Sequence, residues 1–117
     1  MELRGVHHVS INVSDLPATQ SFYTDVLGLD VLPRPELGVD GVWLGCPDGR
    51  EIHLIVQDVP DNAGQHYAFE VDNVDGVTER LAGVGHKVSK ASEIAGVCRQ
   101  VFCKDPSGNL VEFNERL

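Results

Sequence analysis

The sequence predicts an α+β fold: two tandem βαβββ modules whose mixed sheets form a cup around a central cleft. Three observations predict it. First, the chain repeats itself. "HHVSINVSDL" aligns with "QHYAFEVDNV" at an offset of 58, placing His8 on His66, Ile11 on Phe69, Val13 on Val71 and Leu16 on Val74. "PDGREIHLI" aligns with "PSGNLVEFN" at an offset of 59, placing Gly49 on Gly108, Ile52 on Val111 and His53 on Glu112. Second, each copy opens with apolar residues at every second position and continues with helical spacing. Third, 117 residues suit one domain, so the copies are expected to be halves of a single domain over 1–117. Module 1 spans about 5–57 and module 2 about 64–115. A polar Pro/Gly linker over 58–63, "DVPDNA", joins them.

The elements follow in order. Val9–Val13 alternates and reads as a strand. Asp15 then suits a helix N-cap, with Pro17 in the first turn. Leu16, Phe22, Tyr23, Val26 and Leu27 keep helical spacing, and Gly28 stops the helix. Three strands complete the module: near Val31, at Val42–Cys46 and at Glu51–Val56. In module 2 the first strand is Tyr67–Val71. The helix carries Val74, Val77, Leu81 and Val84 and ends at Gly85. Strands follow near Val88, at Val97–Cys103 and at Leu110–Asn114. "CPDG" and "KDPSG" are turns before the two last strands. One helix covers only one face of its sheet, which leaves the other face for the cleft.

Composition narrows the function. The net charge is −9, and the nine Lys and Arg residues form no basic stripe. That excludes nucleic acid and anionic membrane as expected partners. No apolar run approaches the ~20 residues of a membrane span, and "MELRGVHHV" contains no signal-peptide core. A cytoplasmic protein with a small-molecule substrate is expected. Cys46, Cys98 and Cys103 are odd in number and contain no C-x-x-C, so they read as buried thiols.

Successive strand residues face opposite ways, which sorts the polar side chains. Val9, Ile11 and Val13 go beneath the helix, so His8, Ser10 and Asn12 face the cleft; His7 falls on the Val9 side. By the same alternation the cleft receives His66 and Glu70, then Glu51 and His53, then Glu112 and Asn114. A single histidine on a strand is most often a satisfied polar residue. Four metal-competent side chains at repeat-related positions, His8, His53, His66 and Glu112, are a different observation. Three imidazoles and a carboxylate suit one divalent metal per site, Zn, Ni, Co, Mn or Fe(II), and do not suit calcium. His86, beyond the helix-ending Gly85, is expected to be exposed. Ser10, Asn12, Val42, Leu44 and Arg99 are expected to line the cup.

"HHVSINVSDLPATQSFYTDVLGLDV", "EIHLI", "HYAFEVDNVDGVTERLAGVGHKV" and "KDPSGNLVEFNE" together resemble the vicinal oxygen chelate superfamily. Glyoxalase I, extradiol dioxygenases, methylmalonyl-CoA epimerase, fosfomycin-modifying thiol transferases and bleomycin-resistance proteins belong to that group. The resemblance covers nearly the whole chain. Its most specific parts are D-x-x-x-x-x-x-F-Y-x-x-x-L-G from Asp15 to Gly28 and D-P-x-G-N near the C-terminus. It implies paired βαβββ modules, a metal in the cup, and a homodimer. The superfamily's ligand places fall on His8, His53, His66 and Glu112. Many glyoxalase I sequences have a glutamate where His53 stands. The resemblance further implies a lyase or isomerase of the glyoxalase I type. Such an enzyme stabilises an enediolate or oxyanion of a chelating carbonyl substrate, with Glu112 as metal ligand and catalytic base. An Fe(II) ring-cleaving dioxygenase and a non-catalytic drug-binding protein are the alternatives it offers. No clear basic set for gripping a thiol cofactor's carboxylates is present: Arg34, Arg50 and Arg99 are the only candidates, and surface roles are expected for each.

Overall fold

Each half of the chain runs strand–helix–strand–strand–strand in the computed structural model, which describes all 117 residues. The chain divides into two units, Met1–Pro60 and Asp61–Leu117. The first contains β1 (His8–Val13), α1 (Leu16–Ser21), β2 (Asp30–Leu32), β3 (Gly41–Gly45) and β4 (Glu51–Val56). The second contains β5 (Tyr67–Glu70), α2 (Val74–Gly83), β6 (Ser92–Ile94), β7 (Cys98–Lys104) and β8 (Leu110–Arg116). The sheet orders are β1-β4-β3-β2 and β5-β8-β7-β6. In each, the first strand pairs in parallel with the last and the other pairings are antiparallel. The sequence repeat is thus a repeat of topology, in the α+β class expected.

Local chemistry sets the helix ends. Asp15 Oδ1 accepts the Ala18 N–H at 3.1 Å, capping α1, and a proline sits in the first turn. The helix does not stay regular to Leu27 as its spacing predicts. It continues into a π-helical segment, Phe22–Val26, in which the Leu27 N–H reaches the Phe22 carbonyl at 3.1 Å. Phe22 and Tyr23 are consecutive and both buried, and the wider π turn accommodates two adjacent bulky rings on the inner side. At α2, Asn73 Oδ1 accepts the Asp75 and Gly76 N–H groups, and Glu115 from β8 accepts that of Val74. The other end closes as a Schellman motif: the Gly85 N–H donates to Ala82 and the His86 N–H to Leu81, with Gly85 at φ +88°. His86 is therefore half-buried, not exposed, because its backbone is folded back against the last turn.

Two further expectations shift. The strand foreseen near Val88 lies at Ser92–Ile94, and Val88 makes only an isolated bridge to Cys103. Val42 and Leu44, expected to line the cup, pair with Leu54 and Ile52, both buried, so they share the helix-covered face; Leu44 is itself buried. The strand alternates without a break from Gly41 to Gly45, so it is Trp43 that takes the opposite face.

The D-P-x-G-N motif has a structural role. Asp105 is buried, and its carboxylate accepts the N–H groups of Ser107 and Asn109 and the Asn109 side-chain amide at 2.9–3.0 Å. That cage fixes the turn that starts β8 and sets the position of Glu112. The cores gather between helix and sheet: Val13, Phe22, Tyr23, Leu44 and Leu54 in the first half, and Val74, Leu81, Val101, Val111 and Phe113 in the second. All three cysteines are free, Cys98 and Cys103 buried. No helix is long and apolar enough to cross a membrane.

Candidate functional site

In the first half, Ser10, His53 and Trp43 stand in one row across β1, β4 and β3. Their neighbours Ile52 and Leu54 are core, so this row occupies the face away from the helix. Two positions before Ser10, His8 pairs with Glu51. The rings stack: His8 on His53 at 4.0 Å and 14°, Trp43 on His53 at 4.4 Å and 9°. His53 is thereby sandwiched, with 7% of its surface exposed, and its Nε2 lies 2.8 Å from Glu51 Oε1. That hydrogen bond, reinforced by the nearby imidazoles, holds the Glu51 carboxyl below its usual value against a smaller desolvation effect. His7 lies one residue before β1 and escapes its alternation. It does not turn to the helix side: its Nδ1 meets His8 Nδ1 at 2.9 Å.

In the second half, Ala68, Glu112 and Phe102 form the equivalent row across β5, β8 and β7. Glu112 is 7% exposed. Its Oε1 lies 3.0 Å from His66 Nε2, and its Oε2 accepts the Asn114 side-chain amide at 2.8 Å. Alanine at 68 leaves the space beside Glu112 for that imidazole. His66 Nδ1 lies 2.9 Å from the Gly64 carbonyl. A carbonyl only accepts, so Nδ1 carries the proton and Nε2 is the nitrogen turned toward the carboxylate. Gly64, at φ +89°, presents that carbonyl from a turn whose Asn62 side chain accepts the Gly64 N–H at 2.9 Å. Phe102 meets the His66 ring edge-on at 5.2 Å.

The four predicted donors therefore appear as two pairs, His8 with His53 and His66 with Glu112. No group of three or more His, Cys, Asp or Glu side chains is clustered as a metal holder. The chemistry of the second pair nevertheless suits a cation. A carbonyl fixes the imidazole tautomer from behind, and the remaining nitrogen and a buried carboxylate oxygen point at one another, the arrangement of an oriented metal-binding histidine. In the first pair, Nε2 of His53 is turned to Glu51, while His8 keeps Nε2 beyond its contact with His7.

Residues 5–113 match the family described as the Glyoxalase/Bleomycin resistance protein/Dioxygenase superfamily. The chain belongs to this superfamily. It is 31% identical over 121 residues to lactoylglutathione lyase of Haemophilus influenzae, covering 92% of this chain and 90% of that protein. It is 37% identical over 87 residues to mitochondrial methylmalonyl-CoA epimerase of Mus musculus; the match takes in 62% of this chain and about half, 49%, of that protein. Its fold is similar to that of a mutant of the genomically encoded fosfomycin resistance protein FosX of Listeria monocytogenes, complexed with Mn(II) and 1S,2S-dihydroxypropylphosphonic acid. That likeness has a TM-score of 0.86 at 19% identity and covers 99% of this chain and 95% of the other. Enzymes thus stand among the chain's superfamily relatives, and the same fold elsewhere holds a divalent metal.

Within this superfamily member, residues beyond the expected set shape the site. Trp43 and Phe102 are equivalent at the repeat offset of 59, and each packs on a candidate imidazole. That offset was the signal that could have found them. Arg34, Arg50 and Arg99 are committed elsewhere, to the Val39 carbonyl, the Arg4 carbonyl and the Asp75 carboxylate.

Proposed function

We propose that the protein is a metal-dependent enzyme of the glyoxalase type. It would act on a small carbonyl substrate by moving a proton on the carbon next to the carbonyl, a lactoylglutathione-lyase-like isomerisation. His8, His53, His66 and Glu112 are the proposed ligands of one divalent metal, Zn, Ni, Co, Mn or Fe(II), and the working form is a cytoplasmic homodimer. The supporting observation is the His66–Glu112 pair, 3.0 Å apart, with the carboxylate buried and the imidazole tautomer set by Gly64. When bound, the metal supplies Lewis-acid stabilisation for negative charge developing on two adjacent substrate oxygens.

The residues supply the rest. Asn114 holds Glu112 Oε2, and Oε1, which faces His66, would take the proton from the hydroxyl-bearing carbon and return it to the neighbouring carbonyl carbon, while the hydroxyl proton passes to that carbon's oxygen. Burial keeps bulk water from competing for that proton. The ring stack of His8, His53 and Trp43 is a stiff wall rather than a proton carrier. Relatives named as a lyase and an epimerase favour this reading, since epimerisation beside a thioester likewise moves a proton at carbon.

The test is turnover on hemithioacetals of methylglyoxal with several thiols, with metal content measured on the same samples. Glu112→Gln is expected to lower kcat by about 10²–10⁴-fold, the usual worth of a positioned base. Full turnover by that variant removes the base role. Oxygen uptake on catechols with bound iron would replace isomerisation by ring cleavage, and tight drug binding with no turnover at all would leave a binding protein.

A further inference from the structure

The second half also contains an open groove of about 430 Å³ whose walls include Lys87, Ser89, Phe102, Lys104 and Leu110. Val88 bridges Cys103 in antiparallel register, which sets Lys87 opposite Lys104 and Ser89 opposite Phe102. Two hydrogen bonds fix that register: the Ser89 N–H donates to the Phe102 carbonyl at 2.9 Å, and the Phe102 N–H donates to Ser89 Oγ at 2.8 Å. Cys103 is in the core, so the lysines on either side of the bridge project to the other face, which also carries Phe102 and Glu112.

Like charges directly across two strands repel. The chain has 18 acidic residues, yet neither lysine's ammonium group has a carboxylate or other hydrogen-bonding partner. They are two of only three lysines in the molecule. One residue of the groove, Phe102, also meets the candidate site's His66. Leu110 pairs with Lys104 and immediately precedes Val111, just as His66 precedes Tyr67, the β5 partner of Val111. One row therefore runs His66, Leu110, Lys104, Lys87. At a strand spacing of ~4.8 Å the ammonium pair is roughly 10–15 Å along the sheet from His66. Between them Phe102, whose edge touches His66, offers an apolar floor.

The geometry points to Lys87 and Lys104 as an anion subsite that selects the substrate. The carbonyl compound carries a carboxylate or phosphate held by both ammonium groups, with its apolar stem on Leu110 and Phe102. This assignment rests on the reading of Glu112 and His66 as the reaction centre.

Inorganic phosphate, and separately succinate, titrated into ¹⁵N-labelled full-length protein at ionic strength fixed with chloride tests it. The expected result is saturable shifts of the amides of Lys87–Ser89 and Phe102–Lys104, weakened at least about tenfold in Lys87→Met/Lys104→Met, a change of one decade in Kd. Response to phosphate or to succinate identifies which anion the substrate bears. Shifts no larger than with chloride alone, or saturable shifts that survive the double substitution, overturn the subsite. The methionine stems keep the groove's apolar lining, and the amide spectrum verifies folding. The same variant is expected to raise KM at least about tenfold for hemithioacetals of anionic thiols and leave neutral ones unchanged. Phosphate binding at these amides with no turnover on any hemithioacetal would retire the reaction and keep the subsite. Turnover with unmoved amides would do the reverse.

Discussion

His53 and Glu112 occupy equivalent places in the two repeats, each buried at 7% exposure on the last strand of its module. Both are joined to a group of opposite type, His53 to Glu51 and Glu112 to His66. The two contacts are built differently: His53 meets Glu51 two residues earlier on the same strand, whereas Glu112 meets His66 from the segment before β5. This was legible in part: period-two alternation and the repeat placed His8, His53, His66 and Glu112 on one kind of face. The Gly64 carbonyl, which sets the His66 tautomer, was not legible, because backbone groups in a turn leave no trace in side-chain pattern. Cys103 tests the residue-level reading from the other side. Burial, then the charge of Asp105, pushes its thiol up to about 11. At pH 8 roughly one molecule in a thousand would hold the thiolate, against about a quarter for a cysteine with the ordinary pKa near 8.5. Labelling with Ellman's reagent in a Cys46→Ala/Cys98→Ala protein should therefore be at least about 100-fold slower than for an unfolded chain and speed up on unfolding. Rapid native labelling would contradict the burial assigned to β7 and open a nucleophilic role for this thiol.

At the scale of elements, strands were easier to place than helix interiors. β4 falls at Glu51–Val56 as its alternation dictates, and the caps at Asp15 and Gly85 act as their residue types require. The π segment after α1 was not readable, since Phe22 and Tyr23 satisfy helical spacing while their joint burial needs a wider turn. The strand near Val88 was misplaced for a related reason. A single apolar residue marks a bridge as well as a strand, and the true β6, Ser92–Ile94, is exposed along its length and has no apolar pattern to betray it. What ties α2 to the sheet is partly electrostatic: both terminal guanidinium nitrogens of Arg99 donate to Asp75 in its first turn, at 3.1 and 3.2 Å. Arg99 holds the Asp75 carboxyl below its usual value, first by hydrogen bonding and then by charge, and its own pKa is raised in return. A carboxylate with a depressed folded-state pKa stabilises fully above its unfolded value near 4, and the contribution disappears as pH falls through the lower folded value. The urea midpoint of wild type should thus exceed that of Asp75→Asn at pH 7 by a small margin that is smaller at pH 3. An equal margin at both pH values would show that the substitution acts through shape rather than charge.

For the whole molecule, the twofold repetition carried the architecture. Two matched sequence blocks were enough to assign βαβββ twice, and the topologies β1-β4-β3-β2 and β5-β8-β7-β6 are equivalent. The proposed metal donors come two from each half, and no group of three or more is clustered, so the metal proposal is tested on the whole chain. An ion that binds only the native arrangement stabilises it by mass action, about 2.7 kcal/mol at a hundredfold excess over Kd. For a chain of 117 residues that corresponds to a rise in Tm of about 10 °C. The expectation is such a rise when Zn, Ni, Co, Mn or Fe(II) is added to chelator-treated protein, with one ion bound per chain. His8→Ala and His66→Ala should each remove most of it, and the double substitution should remove little more, since ligands of one ion are not additive. Differential scanning fluorimetry across the metal series, with elemental analysis after gel filtration, measures both quantities. Two ions per chain, or losses that simply add, would mean that the histidines of each half act independently, and the shared metal would have to be given up even if the enzyme proved active.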